Sequence, residues 1–288
     1  MAAAATRPTL AVFGATGHQG GAIVSHFLSL PNPPYTIRAL TRSPTSQKAR
    51  SLADAGVDVV HADLDHVDSL KRSMQGAEAV FLVTDFFSCP DPGAEHEVAQ
   101  AKRVLDILAA SRTLKHLVYS SLPSISAASS GRYRSVVHFD GKASVVDWLQ
   151  QTHEELWGKT TVLWVGTYMQ LWMQFPHVFA PRKVVNGGGE EIWQWNTVFY
   201  PHTKLPLVDV KDVGVAARTI LEGGEECMGQ TLSLVAPELV TAEEQLRVWG
   251  EVVGKDVVFR HVSEEESWEA IETLRMEEYL AKDLWETG

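Results

Sequence analysis

A glycine-rich turn near the start of the chain limits what can be built more than any other feature. The segment TLAVFGATGHQGGAIVSHFLSL passes from an apolar, strand-like run through Gly14, Gly17 and Gly20 into a helix-like run that PNPP ends. Glycines at this GxxGxxG spacing allow a tight turn. They also let backbone N–H groups approach a pyrophosphate at the first turn of a helix. A strand before, a helix after and a βαβ unit around them form the context the motif requires. The turn is expected to hold a dinucleotide.

The rest of the first half repeats this alternation. YTIRALTR, VDVVHADL, AEAVFLVT, LKHLVYSS and TTVLWVG read as strands. SQKARSLADAG, HVDSLKRSMQG, PGAEHEVAQAKRVLDILAASR and SVVHFDGKASVVDWLQ read as helices. In the third of these, Val98, Ala101, Val104, Leu105 and Leu108 recur at helical period. The pattern predicts a doubly wound α/β fold, a parallel sheet with right-handed crossovers and helices on both faces. After Gly166 the alternation degrades. Residues 167–206 are rich in aromatics, Gly and Pro, and read as an irregular lobe. LPLVDVKDVGVAARTILEG returns to strand and helix, and TAEEQLRVWGEVVG is a helix with Thr241 and Glu244 in capping-box positions. SEEESWEAIETLRMEEYLAKDLW reads as a last helix. The expected division is a dinucleotide-binding domain over residues 1–165 and a substrate or partner lobe over residues 166–288.

Charge and composition narrow the partners. With 25 Lys and Arg against 36 Asp and Glu, the net charge is −11, which opposes nonspecific binding to nucleic acid or anionic membranes. Cys89 and Cys227 have no CxxC spacing and suggest a reducing compartment. The start of the chain lacks the basic end and long apolar core of a secretory signal. The most apolar stretch, TTVLWVGTYMQLWMQF, is shorter than a membrane span. His96, His153, His177 and His202 show no metal-site spacing, and a GxSxG elbow is absent. The expectation is a soluble cytoplasmic protein, also nuclear if regulatory, without a metal, as a monomer or homodimer.

The second strand ends LTRS. An NAD site usually has an acidic residue there, whereas this chain has Arg42 and Ser43, with Lys48 further on. A guanidinium suits a 2′-phosphate through bidentate hydrogen bonds, which favours NADP(H). Asp63 and Leu64, ending the third strand, are placed to flank an adenine; Asp63 read as a helix cap is the alternative. Thr84, ending the fourth, falls near the middle of such a coenzyme. His138 and Lys142 stand four apart on one helix face, and Lys142 shares the core-facing side with Val145, Val146 and Leu149. An inward lysine needs a partner, and a bound nucleotide would supply one. His138, with an ordinary pKa of about 6.5, suits a proton donor or relay; the other reading is that it packs. Tyr133 and Tyr168 are further donors or pocket walls. Trp164, Trp172, Phe175, Trp193, Trp195, Phe199 and Tyr200 either sandwich a flat substrate or pack the lobe; on the first reading Tyr133, Tyr168, Trp172 and Trp193 line its site.

Five segments in order, VFGATGHQGGAIV, LTRSPTSQKARSLADAGVDVVHADLDHVDSL, LKHLVYSSLPS, VVHFDGKASVVDWLQ and LPLVDVKDVG, resemble the NmrA-like family, an atypical branch of the short-chain dehydrogenase/reductase superfamily. The likeness covers most of residues 9–222. It implies a Rossmann fold with a smaller C-terminal α/β substrate lobe. It implies NADP at Gly14, Thr16, Gly17, His18, Gln19, Gly20 and Arg42, with Lys142 as the family's helix lysine near the nicotinamide ribose. Some members resemble reductases of small molecules. Others are redox sensors that bind the dinucleotide without turnover and control a protein partner. Ordinary members of the superfamily carry a proton-donating Tyr four residues before the lysine; here that position is His138, with Ser120 and Ser121 near the expected serine. The expected function is NADP(H)-dependent reduction of a small aromatic or apolar carbonyl or enone, with Lys142 and His138 in catalysis. The alternative is the non-catalytic sensor.

Overall fold

Seven short strands, all paired in parallel, form the main sheet of the computed structural model, which describes residues 7–89, 94–263 and 265–266. In chain order the first unit contains β1 (Thr9–Val12), α1 (His18–Ser29), β2 (Thr36–Thr41), α2 (Gln47–Asp54), β3 (Asp58–His61) and α3 (Val67–Ser73). It continues with β4 (Ala79–Leu82), α4 (Glu95–Ala109), β5 (His116–Ser121), α5 (Ile125–Ala128), α6 (Val137–Thr152), α7 (Glu154–Trp157) and β6 (Thr160–Val165). The chain then builds a second unit from β7 (Thr167–Tyr168), α8 (Leu171–Gln174), α9 (Pro176–Phe179), β8 (Arg182–Val185), β9 (Glu191–Thr197), β10 (Lys204–Leu205) and β11 (Leu207–Val208). It returns to the first unit for α10 (Asp212–Gly223) and β12 (Thr231–Leu234), and finishes the described part of the second with β13 (Val240–Thr241), α11 (Ala242–Val253) and β14 (Val257–His261). By contacts the first unit comprises Met1–Val165 with Val210–Leu234, and the second Gly166–Asp209 with Val235–Gly288.

The sheet order is β12-β6-β5-β4-β1-β2-β3, so the direction of winding reverses between β1 and β4. Central strands covered on both faces must be apolar along their whole length. β4 (AVFL) and β5 (HLVYSS) are buried at every position, whereas the edge strand β3 (DVVH) is exposed at both ends. One face carries α3, α4, α6 and α7, whose Leu70, Leu105, Leu149 and Leu156 pack with Val80, Leu82 and Leu117 of the sheet. α1 and α10 pack together against β1, β2 and β5.

The expected strands and helices of the first unit are all present. In the second, residues 167–206 are more regular than the sequence implies. β9 (EIWQWNT) pairs antiparallel with β8 and parallel with β14 to make a three-stranded sheet. Trp195 of β9 is 1% exposed and packs on Trp172 and Phe259, beside Ala242 and Leu246 of α11. α11 begins with the capping box expected at Thr241 and Glu244. The helix expected over the acidic end falls almost entirely outside the described residues. Among the described residues no helix is long and apolar enough to cross a membrane.

His116 opens β5 and is buried, with Nε2 2.8 Å from Thr161 Oγ1 of β6 and no partner at Nδ1. Burial lowers its pKa to about 4. In the folded chain His116 therefore stays neutral over a range where the unfolded chain binds a proton, so stability is full above about pH 6.5 and falls as the pH drops towards 4. The loss attributable to this residue is about 3 kcal/mol. Urea unfolding of the wild type and His116→Gln across that range checks this: the acid-side loss should shrink by most of that amount in the variant.

Candidate functional site

Parallel pairing puts the C-terminal ends of all seven main strands on one edge of the sheet, and the reversal between β1 and β4 opens a crevice there. The loop after β1 forms its floor. Gly14 adopts φ +62°, a left-handed conformation that side chains disfavour, and its carbonyl accepts from Gly17 N at 2.8 Å. α1 starts with Gly17 as an N-cap that has no capping side chain, and its first turn has no acidic residue. Gly20 lies so close to the end of β1 that an added Cβ would stand 2.5 Å from Phe13 O and overlap the Gly14 carbonyl. The lack of side chains thus brings the positive end of the α1 dipole, with its backbone donors, down onto the strand end. This is a cradle for an anionic group. Thr16, in the same loop, accepts from Lys48 Nζ through its carbonyl at 3.4 Å. His18 and Gln19 occupy the first two positions of α1.

Arg42 is exposed immediately beyond β2, and its guanidinium donates to Ser88 Oγ at 3.4 Å. Ser43 N donates to Thr41 Oγ1 at 3.2 Å. Arg42 and Lys48 place two cations beside the glycine loop and the turn after β4, without an acidic side chain at the strand end. The residues therefore fit a dinucleotide carrying a further phosphate.

The loop after β3 is held by α4. Asp63 Oδ1 accepts from Asp65 N at 2.9 Å, a local turn; the N-cap residue of α3 is His66, so Asp63 is not that helix's cap residue. Arg103 Nη1 donates to the carbonyl of Leu64. Gln100 Nε2 donates to Asp65 Oδ2 at 2.9 Å. Burial alone would raise the Asp65 pKa, but hydrogen bonds from Gln100 and His96 and the charges of His96 and Arg103 bring it below its usual value. Arg103 and Gln100 carry no motif in the sequence; their polarity on a helix facing the strand ends was the available signal.

At the far side of the crevice Lys142 of α6 is half-buried among protein acceptors. Its Nζ donates to Thr84 O at 3.1 Å, Thr84 Oγ1 at 2.8 Å and Glu97 Oε1 at 2.7 Å. Thr84 Oγ1 in turn donates to Glu97 Oε1 at 2.7 Å. The inward lysine thus finds its counter-charge in the chain itself, in an acid of α4. Reading the partner as a nucleotide overlooked Glu97, which stands in register with Ala101, Val104 and Leu108 on the buried face. An acid on that stripe was the clue. α4 and α6 meet closely at Gly141, where an added Cβ would lie 2.6 Å from Ala94 Cβ.

His138, one turn before Lys142, sits among rings: Phe86 at 5.4 Å, Phe87 at 5.7 Å and Phe139 at 4.9 Å between centroids. Burial lowers its pKa; the Glu97 charge opposes this and the Lys142 charge adds to it. The neutral imidazole is therefore the favoured form at neutral pH. Phe87, 82% exposed, leaves an aromatic ledge open beside it. Ser121 and Tyr119 are buried in β5, each with an unpartnered hydroxyl. Burial and the Glu97 charge raise the Tyr119 pKa. Tyr133 is exposed under the guanidinium of Arg132.

The remaining aromatic candidates belong to the second unit. Tyr168 lies in β7, paired with β11. Trp172 packs on Trp195 at 5.0 Å and Trp193 on Trp249 at 5.3 Å. These contacts give both tryptophans a packing role within that unit.

Crevice, glycine cradle and cations define a nucleotide-binding α/β protein of the Rossmann type. The NmrA-like family model matches residues 6–287, and the chain belongs to that family. The NmrA-like family domain-containing oxidoreductase ptmS of Penicillium ochrochloron is 27% identical over 89% of this chain and 76% of its own. The oxidoreductase FrzB of Cladobotryum sp is 41% identical, over 40% of this chain and only 34% of its own. Among solved structures, NmrA, a negative transcriptional regulator in complex with NADP, matches with a TM-score of 0.70 at 21% identity, over 93% of this chain and 82% of that one. The Citrobacter sp. triphenylmethane reductase complexed with NADP(H) matches with a TM-score of 0.65 at 22% identity, over 90% and 80%. At such identities these two structures speak for the fold alone.

The close approach at Gly20 gives a direct test. Gly20→Ala forces its methyl group into the backbone of Phe13 and Gly14, and the strain should destabilise the fold by about 1–3 kcal/mol. A thermal melt should show a lower midpoint, whereas Gly187→Ala, where an added Cβ meets nothing within 4 Å and the backbone is not left-handed, should leave the midpoint nearly unchanged.

Proposed function

We propose that the chain is an NADP(H)-dependent oxidoreductase that passes hydride between the coenzyme and a small, flat carbonyl or enone compound. The observation that carries this reading is the α1 N-terminus, drawn onto the end of β1 by Gly20 with Arg42 and Lys48 beside it. Names among its relatives support the same reading, since ptmS and FrzB are called oxidoreductases. NADPH, when bound, supplies the hydride. Gly14, Gly17 and Gly20 shape the turn so that Thr16, His18 and Gln19 at the start of α1 lie against the pyrophosphate. Arg42, Ser43 and Lys48 favour the 2′-phosphate over a bare ribose, since a guanidinium pairs with phosphate bidentately. Asp63 and Leu64 flank the adenine, and Thr84 and Lys142 form the inner wall by the nicotinamide ribose.

His138 takes the place of the superfamily's tyrosine. Its neutral imidazole can pass a proton between water and substrate, one N–H giving while the other nitrogen accepts. Phe86, Phe87 and His138 offer a ring surface suited to a flat apolar substrate. Tyr133 is assigned to the substrate side in the first unit; Tyr168, Trp172 and Trp193 belong to the second unit, where the two tryptophans pack. The compartment assigned is the cytoplasm.

A second reading is favoured by one observation. The imidazole of His138 is lowered in pKa and held among phenyl rings, a poor substitute for a tyrosine donor. On that reading the chain senses the NADPH/NADP ratio and controls a protein partner without turnover. NmrA, a negative transcriptional regulator, has this fold.

Two measurements decide these points. The wild type should bind NADPH more tightly than NADH, and Arg42→Ala should remove about tenfold or more of that preference. An initial preference for NADH would contradict the assignment. With NADPH and a panel of flat ketones and enones, loss of nicotinamide absorbance supports the enzyme; tight binding without turnover on any compound supports the sensor.

A further inference from the structure

The buried acid that sequence reasoning missed has a role in the site. Glu97 is 1% exposed and sits on the inward face of α4. Its Oε1 accepts two hydrogen bonds, from Thr84 Oγ1 and Lys142 Nζ, while its Oε2 is buried without a partner. An ammonium has three N–H donors, and Lys142 uses all three within the chain. Its side chain is only 11% exposed. A lysine is ordinarily a flexible stem with a strongly hydrated head, and an unpaired buried ammonium is costly. Here the head is fixed at one point, between the end of β4 and the face of α4, by a charge on another helix.

We propose that Glu97 is a positioning residue for Lys142. It supplies the counter-charge that the enclosed ammonium needs, and through Thr84 it fixes that ammonium at the inner end of the crevice. The Thr84 carbonyl, at 3.1 Å the longest of the three contacts, is the one the ammonium gives up to a ribose hydroxyl. This inference rests on reading the crevice as an NADP(H) site. The titratable groups that act on Lys142 are Glu97 from α4, Tyr119 from β5 through its coupling to Glu97, and His138 from α6 itself.

The test is NADPH binding by the full chain, followed by nicotinamide fluorescence, for the wild type, Glu97→Gln, Lys142→Met and the double variant. Glu97→Gln should weaken binding by about tenfold, the size of one charge-assisted hydrogen bond. Glu97→Asp, which restores the charge on a shorter side chain, should recover part of that loss. If Glu97 acts through Lys142, the double variant binds as Lys142→Met does, with no added loss. The double variant also carries no unpaired buried charge, so it keeps the comparison available should Glu97→Gln fail to fold. Wild-type affinity in Glu97→Gln overturns the proposal, as do additive losses in the double variant. A wild type that binds no NADPH overturns instead the coenzyme reading beneath it.

Discussion

The crevice depends on how closely α1 can approach the end of β1. A helix and a strand normally stand apart by the depth of their side chains. At Gly20 there is none, and the helix backbone comes to rest against the carbonyls of Phe13 and Gly14. This contact aims the N-terminal donors of α1 at the strand ends, where the loops after β2 and β4 carry Arg42 and Thr84 and the start of α2 carries Lys48. The reversal of strand order between β1 and β4 leaves room for a ligand at that spot. Turn, helix and sheet order therefore converge on one position.

A second constraint acts on the opposite wall. Burying an ion pair gains little stability in itself, because desolvation offsets the attraction. The Lys142–Glu97 pair is accordingly better understood by what it orders. It ties α6 to α4 and to the end of β4 through Thr84, next to the contact where Gly141 lets the two helices meet at Ala94. The aromatic group of Phe86, Phe87 and His138 is attached to the same segment of α6. The chemistry available at that wall is set by an ammonium without freedom to wander and an imidazole biased to its neutral form.

Much of this was legible in the sequence because it follows from periodicity and from residues with one physical use. The alternation of apolar runs and amphipathic stretches gave the parallel sheet, and glycines after a strand gave the cradle. The fate of Lys142 was only half legible: its place on the core face of α6 showed that it needed a partner, but which partner depends on α4, fixed by tertiary packing. For the same reason Arg103 and Gln100, which hold the loop after β3, left no local mark. The stretch from residue 167 to 206 concealed β8 and β9 because dense tryptophans and a Gly-rich turn obscure a two-residue alternation. Trp195 was open to two readings, pocket wall or lobe packing, and is core; burial of so large a ring is decided by Phe259 and α11, elements distant in the chain.

Coenzyme binding stands on phosphate recognition at the start of α1 and beside β2. Phosphorus NMR of NADP titrated with the protein tests it most directly, because the pyrophosphate and the 2′-phosphate report separately. Both signals should move and saturate together at one equivalent. Signals that stay at their free positions, or a pyrophosphate that moves while the 2′-phosphate does not, would contradict it.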